Sequence, residues 1–148
     1  MEINGKKVVV IGGASGMGRA SAELLHERGA DVAILDREGS DGKTVAESVG
    51  GTFYPVDVTD FAGTEETLQT AVDKLGGLHV VITTAGGGIA KRTMTKSGPH
   101  DLESFQSVID LNLIATFNIS RLAAAIVDNP MLNGQCLRLD AGQRFAPK

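Results

Sequence analysis

Cysteine, tyrosine and tryptophan are nearly missing from this chain: among 148 residues there is one cysteine, Cys136, one tyrosine, Tyr54, and no tryptophan. A lone cysteine excludes an intrachain disulfide and a cysteine metal cluster, and it fits a reduced, cytoplasmic setting. One tyrosine and no tryptophan leave little from which to build a base-stacking platform. Basic charge is also short, with 14 Lys and Arg against 18 Asp and Glu, a net charge of −4. A phosphate-backbone binder favours a basic surface, so nucleic acid is not an expected partner. The apolar run near the start, Val8 to Ile11, is far too short to span a membrane and lacks a signal-peptide layout. The expected setting is a soluble protein with no membrane partner.

Glycine, by contrast, is in excess, at 19 residues, clustered rather than periodic. Clustered glycines mark tight turns and places where backbone must approach a ligand closely. The chain alternates apolar runs with helical spacing. Lys7 to Gly12 and Asp31 to Asp36 read as buried strands, and Thr52 to Val56 and Leu78 to Thr83 as a third and fourth strand. The stretches after Met17, from Gly42 to Val49 and from Phe61 to Leu75 read as helices, closed by Gly29, by Gly50-Gly51 and by Gly76-Gly77. A polar loop opens at Gly86-Gly87-Gly88 and runs to about Pro99. A long helix follows, from Asp101 to Val127, with an inward stripe expected along Leu102, Phe105, Ile109, Asn112 and Thr116. Pro130 and Gly134 end that stretch, and Gln135 to Asp140 reads as a last strand. Alternating strands and helices predict an α/β fold: one Rossmann-like three-layer domain, a parallel sheet of about five strands in the order 3-2-1-4-5, with helices on both faces.

Gly12, Gly16 and Gly18 stand in a G-x-x-x-G-x-G spacing between the first strand and its helix. The first allows a sharp turn, the second lets backbone approach a pyrophosphate, and the third lets helix and strand pack closely. Free N–H groups at the helix start around Gly16, Met17 and Gly18 then face the anion, and Ser15 adds a hydroxyl. Asp36 closes the second strand, 18 residues after Gly18. A carboxylate there accepts from a ribose hydroxyl pair and repels a 2′-phosphate, which favours NAD over NADP. Arg37 blurs that preference, since an arginine can serve a 2′-phosphate; Asp36 could also simply cap a turn.

These residues resemble the short-chain dehydrogenase/reductase family. Ile11-Gly12-Gly13-Ala14-Ser15-Gly16-Met17-Gly18 is similar to its T-G-x-x-x-G-x-G signature, with Ile11 in place of threonine. Asp57-Val58 is similar to its adenine-contacting pair. Thr83-Thr84-Ala85-Gly86 stands where the family has N-N-A-G, both asparagines being threonine here. Asp110-Leu111-Asn112-Leu113 resembles the helix segment carrying its catalytic asparagine, which would be Asn112. The loop and long helix look nearest the branch with 3-hydroxyacyl-CoA dehydrogenase type 2 and hydroxysteroid dehydrogenases. The resemblance implies NAD as cofactor and a small secondary-alcohol or acyl-CoA substrate. It also implies a serine and a Y-x-x-x-K motif further along, and neither can be placed: Tyr54 is the only tyrosine, and Val58 stands four residues on. Residues 126–148 resemble the family's far C-terminal segment, so the chain reads as an N-terminal half (1–125) joined to a tail, with the seam near Ala125-Ile126.

Three functions follow from this pattern: an NAD(H)-binding protein with impaired chemistry, a working oxidoreductase whose missing residues come from elsewhere, and an oligomerising structural module. A methyltransferase would also use a glycine-rich turn, but the glycine spacing and Thr83-Thr84-Ala85-Gly86 speak against it. The half-exposed edge and long helix of such a shortened fold point to a homo-oligomer. His26, His79 and His100 read as helix-surface, strand-edge and solvated residues.

Overall fold

The computed structural model describes residues 2–127. Four parallel strands form the sheet: β1 (Lys7–Ile11), β2 (Asp31–Asp36), β3 (Thr52–Pro55) and β4 (Val80–Thr83), in spatial order β3-β2-β1-β4. β1 lies in the middle, paired through Val9↔Ala33 on one side and Val9↔Val81 on the other. Its valine run is buried on both faces, which is why it reads as continuous rather than alternating. The expected fifth strand, Gln135–Asp140, and the tail beyond Val127 lie outside the described residues.

The connecting helices are α1 (Gly16–Glu27), α2 (Gly42–Ser48) and α3 (Phe61–Leu75). They split between the sheet's two faces. One core layer holds Val8, Val10, Ala22, Val32, Ile34, Val45 and Val49; the other holds Val9, Ile11, Leu35, Leu68, Ala71, Ile119 and Leu122. Alternate residues of each strand serve opposite layers, as the pleat requires. Asp60 starts α3 by accepting the Gly63 N–H at 3.0 Å, and Gly76 ends it at φ +74°.

After β4 the chain runs through a loop carrying a short hairpin, β5 (Met94–Thr95) with β6 (Gly98–Pro99), into a helix spanning Leu102–Ile126. That helix is not uniform. α4 (Leu102–Ile109) and α5 (Ala115–Ile126) are joined by one turn of π-helix, Asp110–Ile114, in which Ala115 N–H donates to the Asp110 carbonyl, five residues back. Asp101 caps the start by accepting the Ser104 N–H at 2.8 Å. An ion pair to Lys91 ties that cap to the preceding loop and, with the Ser104 bonds, holds the Asp101 carboxyl well below the usual carboxylate range.

The inward stripe expected along Leu102, Phe105, Ile109, Asn112 and Thr116 is corrected by the structure. Leu102 and Phe105 are 72% and 55% exposed, and the buried residues are Ala115, Asn118, Ile119 and Leu122. The helix carries apolar residues on two faces, so periodicity alone does not choose between them. The π turn adds to the error. On an unbroken α-helix, Phe105 and Phe117 would stand about 120° apart; one extra residue in the turn brings them back close to one line. Both are exposed, as are Leu113 and Ile114.

Leu102–Ile126 is long and apolar enough, by length and composition, to cross a membrane. Its Ala115, Ile119 and Leu122 are nonetheless buried against the sheet. Ile119, 1% exposed, is the largest fully buried side chain among these anchors. Ile119→Ala should destabilise the fold by about 2–5 kcal/mol; urea unfolding followed by circular dichroism would show the midpoint shift, and an unchanged midpoint would mean that α5 does not pack where the structure puts it.

Candidate functional site: a cleft at the C-terminal ends of the strands

The β1–α1 turn decides the geometry. Gly12, at φ +81°, packs so tightly on the end of β4 that a Cβ would come within 2.5 Å of the Ala85 nitrogen. Gly18 is tighter still, its Cβ position lying 2.1 Å from the Gly12 carbonyl oxygen and 2.6 Å from Thr84 Oγ1. Gly16 faces open space and is required for its φ of +51° instead. The close contacts at Gly12 and Gly18 set the first turn of α1 immediately over the strand ends. Arg19 N–H makes the first helical bond, to Ser15 O at 3.1 Å. The N–H groups of Gly16, Met17 and Gly18 therefore have no helical acceptor. Ser15 caps by backbone only, which leaves its hydroxyl free of the helix.

Thr84 shows how this chain manages without the family's asparagine. Its backbone N–H donates to the Ile11 carbonyl at 2.8 Å and its hydroxyl to the Gly12 carbonyl at 3.1 Å. One threonine thus locks β4 to the glycine turn. Asp36 does the same from β2. Its two oxygens accept the Ala14 N–H at 2.9 Å and the Arg37 N–H at 2.7 Å. Each oxygen keeps a lone pair for an incoming hydroxyl. The turn-capping and ligand-accepting readings of Asp36 are therefore compatible.

These groups line a cleft of about 520 Å³ that contains Gly12, Ser15, Asp36, Arg37, Asp57, Val58, Thr84, Ala85 and Gly86. Nine of the residues singled out from the sequence thus share one surface. Gly16, Met17 and Gly18 frame it without lining it. Other lining residues were not among those singled out, Val56 and Thr59 beside Asp57 and, from the helix, Ser107, Val108 and Leu111, whose segment enters from a loop of unpredictable path. A second, smaller cavity, about 330 Å³, lies at the opposite ends of the strands beside His26, Tyr54 and Lys74, and it contains none of the expected site residues. Tyr54 packs on the core from β3, as an ordinary strand residue.

Asn112 differs from expectation. The sequence reading makes it a buried amide stripped of partners, at a cost of about 1–3 kcal/mol. It is exposed and fully engaged instead. Oδ1 accepts the Gly87 N–H at 3.1 Å, and Nδ2 donates to the carbonyls of Gly87 at 2.7 Å and Val108 at 2.8 Å. The histidines also shift in meaning. His79 Nδ1 accepts the Lys7 N–H at 3.0 Å and so starts β1. His100 is not simply solvated, since its Nε2 is buried and has no partner among the described residues.

Asp57 opens the turn after β3. Its Oδ1 accepts the Thr59 hydroxyl at 2.7 Å and the Thr59 N–H at 2.9 Å. These bonds, the hydroxyl first, hold its carboxyl below the ordinary value, and the nearby Arg37 charge adds to the effect. A lowered folded-state value contributes stability above the unfolded value of about 3.9 and loses it as pH falls through the folded one. Thr59→Ala should therefore raise the Asp57 midpoint in an NMR titration and slightly destabilise the protein at neutral pH. That stability difference should close in acid, below the carboxylate range; a midpoint unmoved by the substitution would remove the Thr59 hydroxyl as its cause.

Comparison with known proteins agrees with this geometry. The family model for short chain dehydrogenase matches residues 6–134. The chain is 43% identical over 133 residues to 3-hydroxyacyl-CoA dehydrogenase type-2 of Drosophila melanogaster, covering 86% of this chain and 52% of that protein. It is 40% identical over 126 residues to the Homo sapiens protein of the same name, covering 82% and 48%. Among solved structures, carveol dehydrogenase from Mycobacterium avium in complex with NAD superposes with a TM-score of 0.76 at 26% identity, over 85% of this chain and 50% of that one. An NADPH-dependent 3-quinuclidinone reductase from Rhodotorula rubra gives 0.74 at 28% identity, over 84% and 48%. The chain thus spans about half the length of the relatives it matches, and by fold, glycine turn and sequence it belongs to the short-chain dehydrogenase family.

Proposed function

We propose that this chain binds a nicotinamide dinucleotide along the cleft, NAD in preference to NADP, and that its own residues do not carry the proton chemistry of a dehydrogenase. The observation that carries the reading is the convergence of Asp36, the α1 N-terminus and the Thr84–Gly86 strand end on one surface. The free N–H groups of the first α1 turn suit a pyrophosphate. Asp36, with one lone pair per oxygen to spare, suits an adenosine ribose diol, and Val58 and Asp57 flank the place for the adenine. Carrying that ligand onward from α1 brings its other half to Thr84–Ile89 and the α4 residues Ser107 and Val108. When bound there, the dinucleotide supplies hydride transfer.

A secondary alcohol also needs an acceptor for its proton. The chain has no tyrosine with a lysine four residues on: Tyr54 lines the other cavity, at the far ends of the strands. A second reading, a working oxidoreductase on a hydroxyacyl thioester or hydroxysteroid, draws on the similarity to 3-hydroxyacyl-CoA dehydrogenase type-2. It requires another chain or further residues to provide the acid–base pair.

NADH fluorescence should change on titration with the 148-residue chain, and the chain alone should not reduce NAD with a 3-hydroxyacyl-CoA. Asp36→Ala should weaken NADH by about ten- to a hundred-fold, the loss of a charge-assisted bond, and narrow its advantage over NADPH. Absence of binding at millimolar NADH would sink the first reading; turnover by the pure chain would establish the second.

We also propose that a second copy of the chain packs on the outer face of Leu102–Ile126. Leu102, Phe105, Leu113 and Phe117 are each more than half exposed. They offer apolar area on the order of several hundred Å² per copy, the size at which an exposed patch marks an interface. Phe117→Glu should convert a dimer to a monomer in sedimentation with NADH binding retained. A wild-type chain that sediments as a monomer, or binds lipid vesicles through this face instead, would refute the dimer.

A further inference from the structure

Among the described residues, two polar residues are buried outright, Thr64 at 0% exposure and Asn118 at 5%. A polar group taken out of water costs free energy unless hydrogen bonds replace the water. The bonds of both residues go to one short segment, the turn after β3 that opens α3. Thr64 Oγ1 donates to the Asp60 carbonyl at 2.7 Å. From α5, Asn118 Nδ2 donates to the Phe61 carbonyl at 3.2 Å. The same turn presents Asp57, Val58 and Thr59 to the cleft.

The Asn118 amide is aimed from behind. Arg121 Nε donates to Asn118 Oδ1 at 2.9 Å. A guanidinium has donors only, so the amide turns its oxygen to Arg121 and its NH₂ to Phe61. The Phe61 carbonyl begins α3, and its second lone pair is open beside the helical bond. Local bonds give the turn its shape. Asp57 accepts the N–H and hydroxyl of Thr59, and Asp60 accepts the Gly63 N–H. A Cβ on Gly63 would stand 2.3 Å from Asp60 Oδ2, so glycine is needed there. None of these bonds says where the turn stands on the body of the protein. Val58 does pack in one core layer with Ala115 and Ile119 of α5, but apolar contact is non-directional. Among the described residues, Asn118 supplies the hydrogen bond that runs from α5 to this turn.

We infer that Asn118 is a positioning residue for the adenosine half of the dinucleotide: through the Phe61 carbonyl it fixes where the Asp57–Val58 wall stands. This rests on the proposed dinucleotide function and deepens it. Asn118 is buried behind that wall and does not line the cleft, so its effect on bound ligand is indirect. Leucine, close to asparagine in size and shape, would fill the same buried place without the bond. Exchanging a polar for an apolar group of one shape is nearly neutral for folding, so that exchange separates positioning from packing.

AMP carries the adenosine half of the dinucleotide, and reduced nicotinamide mononucleotide carries the other half. Asn118→Leu should weaken AMP and NADH by about five-fold or more and leave reduced nicotinamide mononucleotide within about two-fold. In the ligand-free protein it should also move the Asp57 midpoint upward in an NMR titration, because a displaced turn loosens the Thr59 bonds. Arg121→Ala, at an exposed side chain, should weaken AMP in the same direction and add little once residue 118 is leucine, since both act through one amide. Equal loss of both half-ligands, or loss of neither, overturns the inference, as does an Arg121→Ala effect that adds in full to that of Asn118→Leu. If Asn118→Leu does not fold, Arg121→Ala decides: selective loss of AMP supports the positioning role, and unchanged AMP binding overturns it. A wild-type protein that binds none of the three ligands refutes the dinucleotide reading itself. The Asp57 midpoint still decides in that case whether Asn118 holds the turn, and an unmoved midpoint overturns that hold.

Discussion

The carbonyl oxygen of Gly12 is the point on which the rest of this structure turns. The Cα of Gly18 packs against it so closely that no side chain fits, and the Thr84 hydroxyl donates to it from the next strand. One atom thus fixes the distance between the first turn of α1 and the end of β4. Everything useful about the cleft depends on that spacing. If α1 sat further out, its free N–H groups would no longer overhang the strand ends, and Asp36 would lose Ala14, the residue through which it is tied to the turn. Neither glycine can be replaced without moving backbone, since the contacts at 2.1 and 2.5 Å are to main-chain atoms rather than to a flexible side chain.

That constraint also explains which parts of the site were legible before any coordinates. Glycines demanded by main-chain contact leave a spacing in the sequence, and a carboxylate at a strand end leaves a fixed offset from them. Gly12 and Gly18 were readable for this reason, Gly16 for its positive φ, and Asp36 for its offset from them; β1 and β2 were readable as uninterrupted apolar runs, and the sheet order through β4 follows from the alternation of strands and helices. Thr84 was half legible: the substitution for asparagine was plain, while the acceptor of its hydroxyl depended on where Gly12 would sit.

The long helix was misread for an equally physical reason. Periodicity reports that a helix has an apolar face, and this helix has two. Ala115, Ile119 and Leu122 face the sheet; Leu102, Phe105, Leu113 and Phe117 face away from it. Larger side chains lie on the outer face, so a count weighted by hydrophobicity selects the wrong one. The π turn hides the true register as well, because it inserts a residue that no composition marks. Ser107, Val108 and Leu111 line the cleft because the loop after β4 sets where this helix enters, and that path leaves no mark in the periodicity.

The sheet's two outer strands make a related point. Along β3, Val56 N–H donates to Asp36 O, and alternation then turns Pro55 outward, where a missing donor costs the ladder nothing. Along β4, His79 N–H donates to Lys7 O, so Val80 and Ile82 turn their backbone groups away from β1. Neither is a proline or a charge, and β4 is half-buried throughout. Among the described residues, then, the β3 edge is blunted by a proline and the β4 edge carries no such block to a further strand. Here the cleft needs only the side of β4 that faces β1, because Thr84 reaches the glycine turn from there and Asn112 holds the loop that follows. The contacts that build the cleft and the backbone groups that could carry the sheet further therefore lie on opposite sides of the same strand.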